Sequence, residues 1–389
     1  MVVLVVHNHY QRPGGEDQVF DAETSLLEDR GHEVIRYTAH NDRVGEFGRL
    51  RLAGRTVWSR EAHREIRRVI RDRRPRVMHV HNTFPLLSPA AYWAARAEGV
   101  AVVQTLHNYR IFCPNGLLFR SGRVCESCVK KAIPWPGVVH ACYRDDRAAT
   151  ATVATMLGVH RALGTWKRAV SAYIALTGFS RDKFEEFGLP ADRLHVKPNL
   201  LHPEPDAGEG GGDYALFVGR LSREKGVDCL LDALERLRGR VPCLVVGDGP
   251  LASRVAEAAE VVPGLQWRGQ QPLPEIYRLM GRARVLVVPS QWYENFPRVV
   301  VESLARGTPV VVSRLGALEE IVDHERTGLL FRAGDPEDLA RCLEWTATHD
   351  PELTAMRREA RSEFEAKYAA DRNYRLLMEI YDRAASTIE

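Results

Sequence analysis

Two glutamates stand eight positions apart in the segment QWYENFPRVVVESLARGTPVV, which begins at Gln291. Between them, Pro297 can open a helix as its first residue, and Gly307 can close that helix in a left-handed cap. The apolar run ARVLVVP before them predicts a buried strand, so Glu294 lies on a loop beyond the carboxyl end of that strand. Ligands of open α/β sheets bind at such ends. Two solvated glutamates at a helix end would explain the spacing of Glu294 and Glu302 equally well.

Cations and glycines follow two other predicted strands. In FVGRLSREKGVDCLLDAL, Arg220 and Lys225 lie on either side of a turn that leads into a helix, an arrangement suited to a phosphate or diphosphate. In VVHNHYQRPGGEDQVF, Gly14 and Gly15 precede a helix and permit a ligand to approach the backbone closely. Acidic residues in the first turn of that helix also suit its dipole without any ligand. Together, these strand-end groups predict a cleft that binds a sugar nucleotide.

Strands and helices alternate in two blocks, separated by the Pro-, Gly- and acid-rich segment NLLHPEPDAGEGGGDY. Such alternation predicts an α/β fold with parallel sheets that are covered on both faces. A chain of 389 residues is long enough for two cores. We therefore predict a first domain over residues 1–209, a second over 210–370, and a last helix over 371–389.

Composition limits the classes of function. A net charge of +3 gives no indication of nucleic-acid binding. No apolar stretch reaches the length of a membrane span, and MVVLVV reads as a first strand without a basic leader, so we expect a cytoplasmic protein. Eleven arginines and three acidic residues lie between Arg49 and Arg76. This segment is either a peripheral contact with the inner face of an anionic membrane or a solvated arginine-rich surface.

Two patterns suggest other cofactors and are set aside. GDGPLA from Gly247 fits a relaxed dinucleotide-binding pattern, but it lies on a later strand of the second block rather than on the strand that opens it. His7 and His9 share one strand face, as do His79 and His81, but no acidic residue stands at ligand spacing. We interpret all four as ordinary loop or core histidines.

The second block carries a set of spaced elements that recur together. FVGRLSREKG, VVGDGPL, the two glutamates, SLARGTPVVVS and GLLF appear in this order. In this respect the chain resembles a family 4 retaining glycosyltransferase of the GT-B fold. The resemblance covers almost the whole second block and, more loosely, the first. It implies two Rossmann-like domains that face each other across a cleft, with the nucleotide sugar bound by the second domain. It also implies a last helix that packs back on the first domain.

The resemblance assigns roles to individual residues. Glu302 is expected to accept hydrogen bonds from the ribose, and Glu294 to face the hydroxyls of the transferred sugar. Arg220 and Lys225 are expected to neutralise the diphosphate, in place of a divalent metal. Backbone N–H groups of the segment Asn295, Phe296, Pro297 and Arg298 are expected to hold sugar and phosphate, although the family often has glycine where this chain has Asn295.

In the first block, His107 matches a histidine near the donor sugar, and Gly14 with Gly15 matches a glycine loop beside the diphosphate and the acceptor. These matches predict a retaining transferase that needs no metal for catalysis, takes a nucleotide-diphosphate sugar (UDP rather than GDP), and acts on a carbohydrate, lipid-linked or small-molecule acceptor. Polysaccharide, glycolipid and glycosylated-metabolite assembly are the processes considered. A nucleotide-sugar epimerase and a carbohydrate-binding protein without turnover remain alternatives.

The cysteines in CPNGLLFRSGRVCESCVKKAIPWPGVVHAC are not explained by the general resemblance. Cys113, Cys125, Cys128 and Cys142 form an insert over residues 113–142 after the strand that carries His107. A structural zinc site, a redox-sensitive disulfide and four unrelated thiols are three open interpretations. Because the insert follows His107, we expect it to shape the acceptor side of the cleft.

Overall fold

The computed structural model describes residues 1–12 and 14–387 and divides into two compact units. Unit 1 comprises Met1–Leu118, Cys125–His202 and the chain from Ala370 onward, and unit 2 comprises Phe119–Val124 and Pro203–Ala369. The chain enters unit 2 for its long passage at Pro203, within the Pro- and Gly-rich segment. It returns to unit 1 at Ala370.

Each unit is built on a six-stranded parallel sheet, and a two-stranded antiparallel hairpin is separate from both sheets. The strands are β1 (Val2–His9), β2 (Glu33–His40), β3 (Val77–Val80), β4 (Ala101–Thr105), β5 (Phe119–Arg120), β6 (Arg123–Val124), β7 (Ala172–Ala175), β8 (Leu194–Val196), β9 (Ala215–Val218), β10 (Cys243–Val246), β11 (Leu265–Trp267), β12 (Val285–Val288), β13 (Val310–Ser313) and β14 (Gly328–Phe331). The order is β2-β1-β3-β4-β7-β8 in unit 1 and β11-β10-β9-β12-β13-β14 in unit 2. The predicted parallel α/β fold is confirmed.

Helices connect the strands in both units. They are α1 (Gly15–Asp29), α2 (Arg49–Val57), α3 (Arg60–Arg73), α4 (Ala90–Ala97), α5 (Trp135–Val139), α6 (Arg147–Ala162), α7 (Thr165–Arg168), α8 (Gly178–Glu186), α9 (Val227–Leu237), α10 (Ala252–Val261), α11 (Leu273–Arg282), α12 (Arg298–Ala305), α13 (Ala317–Ile321), α14 (Pro336–Thr348), α15 (Asp350–Lys367) and α16 (Ala370–Ser386). Among the described residues, no helix has the length and apolarity that a membrane crossing requires.

Burial explains why the inner strands read as continuous apolar runs. All four residues of β12 (VLVV) and of β13 (VVVS) are buried, as expected when helices cover both faces of a parallel sheet. In unit 2 the core forms between these strands and the apolar faces of α9 and α14. Two strands of three residues, β8 and β11, lie at sheet edges and come in addition to the predicted strands.

Strand order reverses at one point in each sheet, between β1 and β3 in unit 1 and between β9 and β12 in unit 2. Beyond the carboxyl ends of the strands, this reversal opens a crevice because neighbouring loops leave in opposite directions. We call these places the unit 1 and unit 2 switch points. Most of the predicted site residues follow the strands that border them.

The last helix, α16, packs within unit 1 against α1, β3, β4 and β7. The Tyr381 hydroxyl lies 2.8 Å from His79 Nδ1. Lys197 Nζ donates to Asn373 Oδ1 at 2.9 Å. Leu377 is fully buried, so the apolar side of this helix completes the core of unit 1.

Candidate functional site

Two loops meet at the unit 2 switch point, and Gly226 is the residue that allows the meeting. Its φ of +72° is left-handed, and a Cβ at this position would lie 1.8 Å from the carbonyl oxygen of Pro289. The Gln291 amide donates to the carbonyl oxygen of Glu224 at 2.8 Å. Any side chain at position 226 would push the loop after β9 away from the loop after β12.

Lys225 and Glu294 form an ion pair across these two loops, with 2.6 Å between Nζ and Oε1. The Ser290 hydroxyl donates to the same carboxylate oxygen at 2.7 Å. The Lys225 ammonium also lies 5.4 Å from the centre of the Trp292 ring. The side chain of Glu294 is 5% exposed and that of Lys225 is 28% exposed. The Lys225 ammonium is therefore partly exposed to solvent, whereas the Glu294 carboxylate is buried and fixed by the Ser290 hydroxyl.

Glu302 is held on α12 by a neighbour on the same helix face. Arg298 Nε donates to Glu302 Oε1 at 2.8 Å, across one turn of helix. Burial raises the pKa of Glu302, and the Arg298 guanidinium and a hydrogen bond from Tyr277 oppose that shift. Arg298 Nη1 is buried and has no hydrogen-bond partner among the described residues. A ligand that reaches Glu302 therefore also meets an available donor.

Both glutamates are buried, at 4% for Glu294 and 6% for Glu302. The alternative of two solvated helix-end glutamates is therefore wrong. The spacing of the two glutamates along the sequence does not reveal their burial. It shows neither the loop packing around Glu294 nor the Tyr277 side chain that α11 brings to Glu302.

The start of α12 leaves its first amides without a side-chain cap. The helix begins at Arg298 with Pro297 as N-cap, one residue later than predicted, and proline offers no side-chain acceptor. Asn295 and Phe296 precede it; Asn295 is 3% exposed, and the Phe296 ring lies 6.1 Å from the Tyr368 ring. A rigid, partly buried loop thus leads into a helix start whose N–H groups suit an anion.

Arg220 follows β9 after one intervening residue, Gly219, and is exposed. Within the described residues, its guanidinium makes no ion pair or hydrogen bond. The structure brings Lys225, Glu294 and Ser290 together and leaves Arg220 outside that contact group. This cation is therefore available to a ligand at no cost in lost protein contacts.

The glycines of GDGPLA serve chain packing in unit 2. A Cβ on Gly247 would lie 1.9 Å from the Gly219 carbonyl oxygen, and one on Gly249 would lie 2.5 Å from that of Leu221. The Leu221 amide donates to the Asp248 carbonyl oxygen at 2.9 Å. These glycines let the loop after β10 press against the loop that carries Arg220.

In unit 1, His107 follows β4 and stacks on His81, with 5.2 Å between ring centres and 3.0 Å between Nε2 and His81 Nδ1. Burial and the neighbouring imidazoles of His81 and His7 hold the pKa of His107 well below its usual value. His107 is therefore neutral at physiological pH. Both histidines line a cavity of about 50 Å³, which takes one or two waters rather than a sugar ring.

The statement that no acidic residue accompanies the histidine pairs is wrong. His7 Nε2 lies 2.9 Å and His9 Nδ1 lies 3.4 Å from Asp17 Oδ1, and ligand atoms of all three residues fall within 4.8 Å of one another. The carboxylate comes from α1, the helix that follows β1. Spacing along a strand does not show what the next helix brings over the strand end.

A second buried set joins His79, His81 and Glu23, which also comes from α1. Glu23 Oε2 receives a charge-assisted hydrogen bond from Lys197 at 2.8 Å, and these neighbours hold the pKa of Glu23 well below its usual value. His79 uses both ring nitrogens, one on Thr105 and the other on the Tyr381 hydroxyl. His79 Nδ1 and His81 Nε2 lie 3.0 Å and 3.3 Å from Glu23 Oε1, although His81 Nε2 and Glu23 Oε1 have no hydrogen-bond partner among the described residues. All three residues are buried, in line with the interpretation as core histidines.

Gly14 and Gly15 begin α1 where the carboxylate of Asp17 already occupies part of the helix start. The Gly14 amide donates to Asp17 Oδ2 at 2.8 Å. A Cβ on Gly15 would meet nothing within 4 Å, and one on Gly14 only Asp17 Oδ2 at 3.9 Å. Contacts within the chain therefore do not require these glycines, and space remains beside them for a ligand.

Glu16 is a site residue that sequence reasoning missed. Its Oε2 accepts from the Tyr10 hydroxyl at 2.9 Å and from Asn108 Nδ2 at 3.4 Å, while Oε1 is buried with no partner among the described residues. Burial raises the pKa of Glu16 to about 7. The signal in the sequence was its place directly after the two glycines, which was read as favouring the helix dipole alone.

Two family models match this chain over most of its length. The model for Glycosyltransferase Family 4 matches residues 13–204, and the model for Glycosyl transferases group 1 matches residues 212–349. The first match ends and the second begins close to the boundary between the two sheets.

The chain belongs to the group 1 glycosyltransferases of family 4. Among curated relatives, the D-inositol 3-phosphate glycosyltransferase of Corynebacterium urealyticum is 31% identical to this chain over 178 residues, which cover 42% of each chain. The chain spans about half the length, or less, of the curated relatives that it matches first, from 33% to 54%.

Two solved structures show the same fold as this chain. Anabaena HepE in complex with UDP-glucose is similar with a TM-score of 0.65 at 17% identity, over 100% of this chain and 99% of that one. Sucrose-phosphate synthase from Thermosynechococcus elongatus is similar with a TM-score of 0.70 at 18% identity, over 99% of both chains. The predicted GT-B fold class is confirmed.

All four cysteines of the insert belong to unit 1, and none of them is joined in a disulfide. Cys113 and Cys128 are buried, and Cys125 and Cys142 are partly exposed. Among the described residues, no three of these sulfur atoms lie within 4.8 Å of one another.

Proposed function

We propose that this protein transfers a sugar from a nucleotide-diphosphate donor to a hydroxyl acceptor. The observation that carries the proposal is the 2.6 Å ion pair of Lys225 and Glu294 at the unit 2 switch point, beside the uncapped start of α12. A nucleotide sugar offers a diphosphate and a ring of hydroxyls. A cation with nearby amides suits the first group, and a carboxylate suits the second.

Each group of the donor has a proposed partner in unit 2. Arg220 and Lys225 hold the diphosphate together with the backbone N–H groups around Pro297. Glu302 accepts from the ribose, and Glu294 accepts from the transferred sugar. On binding, the diphosphate replaces Glu294 as the partner of Lys225, and the freed carboxylate oxygen takes up the sugar hydroxyls. The ion pair thus keeps both groups in place before the donor arrives.

The reaction we propose retains the configuration at the transferred carbon and uses no metal ion for catalysis. The bond from that carbon to the leaving phosphate oxygen breaks, and the acceptor oxygen bonds to the carbon from the same face. The acceptor proton passes to the departing phosphate. Lys225 and Arg220 stabilise the charge that grows there. His107 contacts the sugar as a neutral hydrogen-bonding group. Glu294 is not assigned as a nucleophile because its carboxylate keeps the hydrogen bond from Ser290 and is proposed to accept from the hydroxyls of the sugar.

For the donor base we propose uridine, since Anabaena HepE of the same fold was solved with UDP-glucose. The acceptor is a carbohydrate, a lipid-linked sugar or a small molecule that approaches the space beside Gly14 and Gly15 in unit 1. The process served is the assembly of a polysaccharide, a glycolipid or a glycosylated metabolite.

We also propose peripheral contact with an anionic membrane, through α2 rather than through the whole segment of residues 49–76. Leu50 is 90% exposed, and the side chain of Arg49 is 83% exposed. Arg49 contacts Asp146 at 3.4 Å, and on α3 Arg67 and Arg71 are paired with Glu98. The exposed apolar side chain of Leu50 is therefore what favours α2. Flotation with vesicles that contain anionic lipid checks this point. We expect Leu50→Glu to abolish binding and Arg68→Gln on α3 to leave most of it.

Incubation of the purified protein with UDP-, GDP-, TDP- and ADP-sugars in EDTA tests the function, with NMR of the anomeric proton of any product. We expect slow donor hydrolysis with UDP-sugars, and transfer with retention once an acceptor is present. A thermal shift with UDP should accompany it, because a ligand at 100 times its dissociation constant adds about 2.7 kcal/mol. Interconversion of sugars would indicate an epimerase, and neither reaction would indicate a binding protein.

A further inference from the structure

The insert over residues 113–142 has little of its own to hold it together. Its regular structure consists of the two-residue strands β5 and β6 and the five-residue helix α5. Ile133, Trp135 and Val139 are each more than half exposed and bury little apolar surface. Segments with so small a core fold stably when a disulfide or a metal ion links them.

Backbone contacts nevertheless bring three of the cysteine-bearing loops together around Gly137. The Cys142 amide donates to the Gly137 carbonyl oxygen at 3.0 Å, and the Cys125 amide donates to the carbonyl oxygen of Leu118, five residues after Cys113, at 2.7 Å. At Gly137, a Cβ would lie 2.9 Å from Pro114, next to Cys113, and 3.4 Å from Cys128 Sγ. Glycine at position 137 therefore lets the Cys113 loop and Cys128 approach α5.

Two of the sulfur atoms are held by contacts within the insert. Cys113 Sγ donates to Asn115 Oδ1 at 2.9 Å, and Cys128 Sγ lies 3.8 Å from the Pro134 carbonyl oxygen. A metal ion that binds these sulfurs would displace both thiol protons.

A partly buried cation lies close to the same sulfurs. The Arg161 guanidinium donates to the carbonyl oxygens of Lys131, Ile111 and Phe112, and within the described residues it pairs with no carboxylate. It lies within electrostatic range of the Cys128 sulfur. A zinc ion with four thiolates carries a net charge of −2, so Arg161 is placed to compensate part of it.

We propose that Cys113, Cys125, Cys128 and Cys142 bind one Zn²⁺ as thiolates and that this ion organises the insert. Zinc–sulfur bonds of about 2.3 Å place sulfurs about 3.8 Å apart in a tetrahedral site. Since no three of these sulfurs lie within 4.8 Å here, the side chains rotate inward when the ion binds. The site is structural and takes no part in sugar transfer.

Elemental analysis of protein purified without chelators tests the site. We expect about one zinc per chain in the natural protein and in the Cys229→Ser and Cys342→Ser controls, and loss of most zinc in Cys125→Ser and Cys142→Ser. Arg161→Gln should release zinc to a competing chelator about tenfold more readily, whereas Arg147→Gln, exposed on the same helix, should not.

If a cysteine variant fails to fold, experiments on the natural protein can still test whether the four cysteines bind zinc. Titration with a mercurial should release its zinc to a colorimetric chelator only as these four thiols react. Cobalt in place of zinc should give the visible bands of a tetrahedral tetrathiolate. Metal-free protein from zinc-supplemented cells with all four thiols open to alkylation would overturn the proposal, and so would a disulfide found among them by mass spectrometry.

Discussion

The two switch points have the same sheet geometry but differ in charge. At the unit 2 switch point, Lys225 and Arg220 present positive charge toward solvent, with Glu294 buried behind them. Near the unit 1 switch point, His107, which follows the adjacent strand β4, is neutral, and burial raises the pKa of Glu16 to about 7. A charged crevice suits an anionic leaving group, whereas a nearly neutral one suits a hydroxyl. The sheet order fixes where a ligand binds, and the side chains fix which ligand it is.

The comparison predicts that buried charged residues in unit 1 stabilise the fold. A substitution of Lys197 tests this prediction. Lys197→Met leaves Glu23 buried and unpaired, so we expect a loss of about 3–5 kcal/mol in the free energy of unfolding. Denaturant unfolding followed by circular dichroism measures it. Lys183→Met, a half-exposed pair with Glu126, should cost about 1 kcal/mol or less. Equal losses in the two variants would contradict the distinction between core and surface ion pairs. The double variant Lys197→Met, Glu23→Gln should recover part of the free energy of unfolding that Lys197→Met loses.

In unit 2 the charges are predicted to be functional. The double variant Arg220→Ala, Lys225→Ala should lower turnover by about 10²-fold or more, because a preorganised charge opposite the leaving phosphate is lost. The fold should persist, since both residues lie on a loop. Steady-state kinetics with saturating acceptor measures the effect, and Arg236→Ala on the exposed side of α9 is the control. Full activity of the double variant would refute the diphosphate assignment.

The two glutamates should separate nucleotide binding from transfer. Glu302→Gln should weaken UDP binding by about 10-fold or more, as expected when a charged hydrogen-bond acceptor is lost. Glu294→Gln should bind UDP as tightly as the natural protein, or more tightly, because Lys225 no longer has a competing partner. It should nevertheless transfer sugar poorly. Calorimetry with UDP and transfer assays on both variants check the division, and equal UDP affinity in the two would contradict it.

The smallest expected effect concerns Glu16 and pH. Because its pKa in the folded protein is raised to about 7, the folded state binds a proton that the unfolded state releases above about pH 4.5. Glu16 therefore makes its full contribution to the free energy of unfolding below about pH 4.5, and this contribution is lost as the pH rises through 7. Glu16→Gln should therefore be more stable than the natural protein at pH 8, by roughly 1–3 kcal/mol, and similar to it at pH 4.5. Unfolding at several pH values shows the trend, and Glu260→Gln, an exposed carboxyl of unit 2, should show none.

Sequence patterns predicted the elements whose apolar pattern extends over many residues. They missed short elements that depend on two or three residues. Buried runs such as VLVV identified the inner strands, but β8 and β11 are three-residue edge strands whose residues are partly exposed and carry no such run. The hairpin of β5 and β6 depends on the left-handed residues Ser121 and Gly122, a local signal that a search for periodicity passes over.

For the candidate site, sequence placed Lys225, Glu294 and Glu302 at one sheet edge but not their partners. The Lys225–Glu294 contact depends on Gly226 meeting Pro289, which only the packed loops reveal. A partner on the same helix can be predicted from the sequence, because Arg298 stands four residues before Glu302. Partners supplied by another element, such as Asp17 for His7, were not, because they depend on how α1 lies over the end of β1.

The position of α16 has a consequence for how the chain folds during synthesis. This helix supplies Tyr381 to His79 and Asn373 to Lys197, so it completes the core of unit 1. The segment Pro203–Ala369 of unit 2 lies before α16 in the chain and leaves the ribosome first. The unit whose translation begins first is therefore completed only after the other unit has been synthesised.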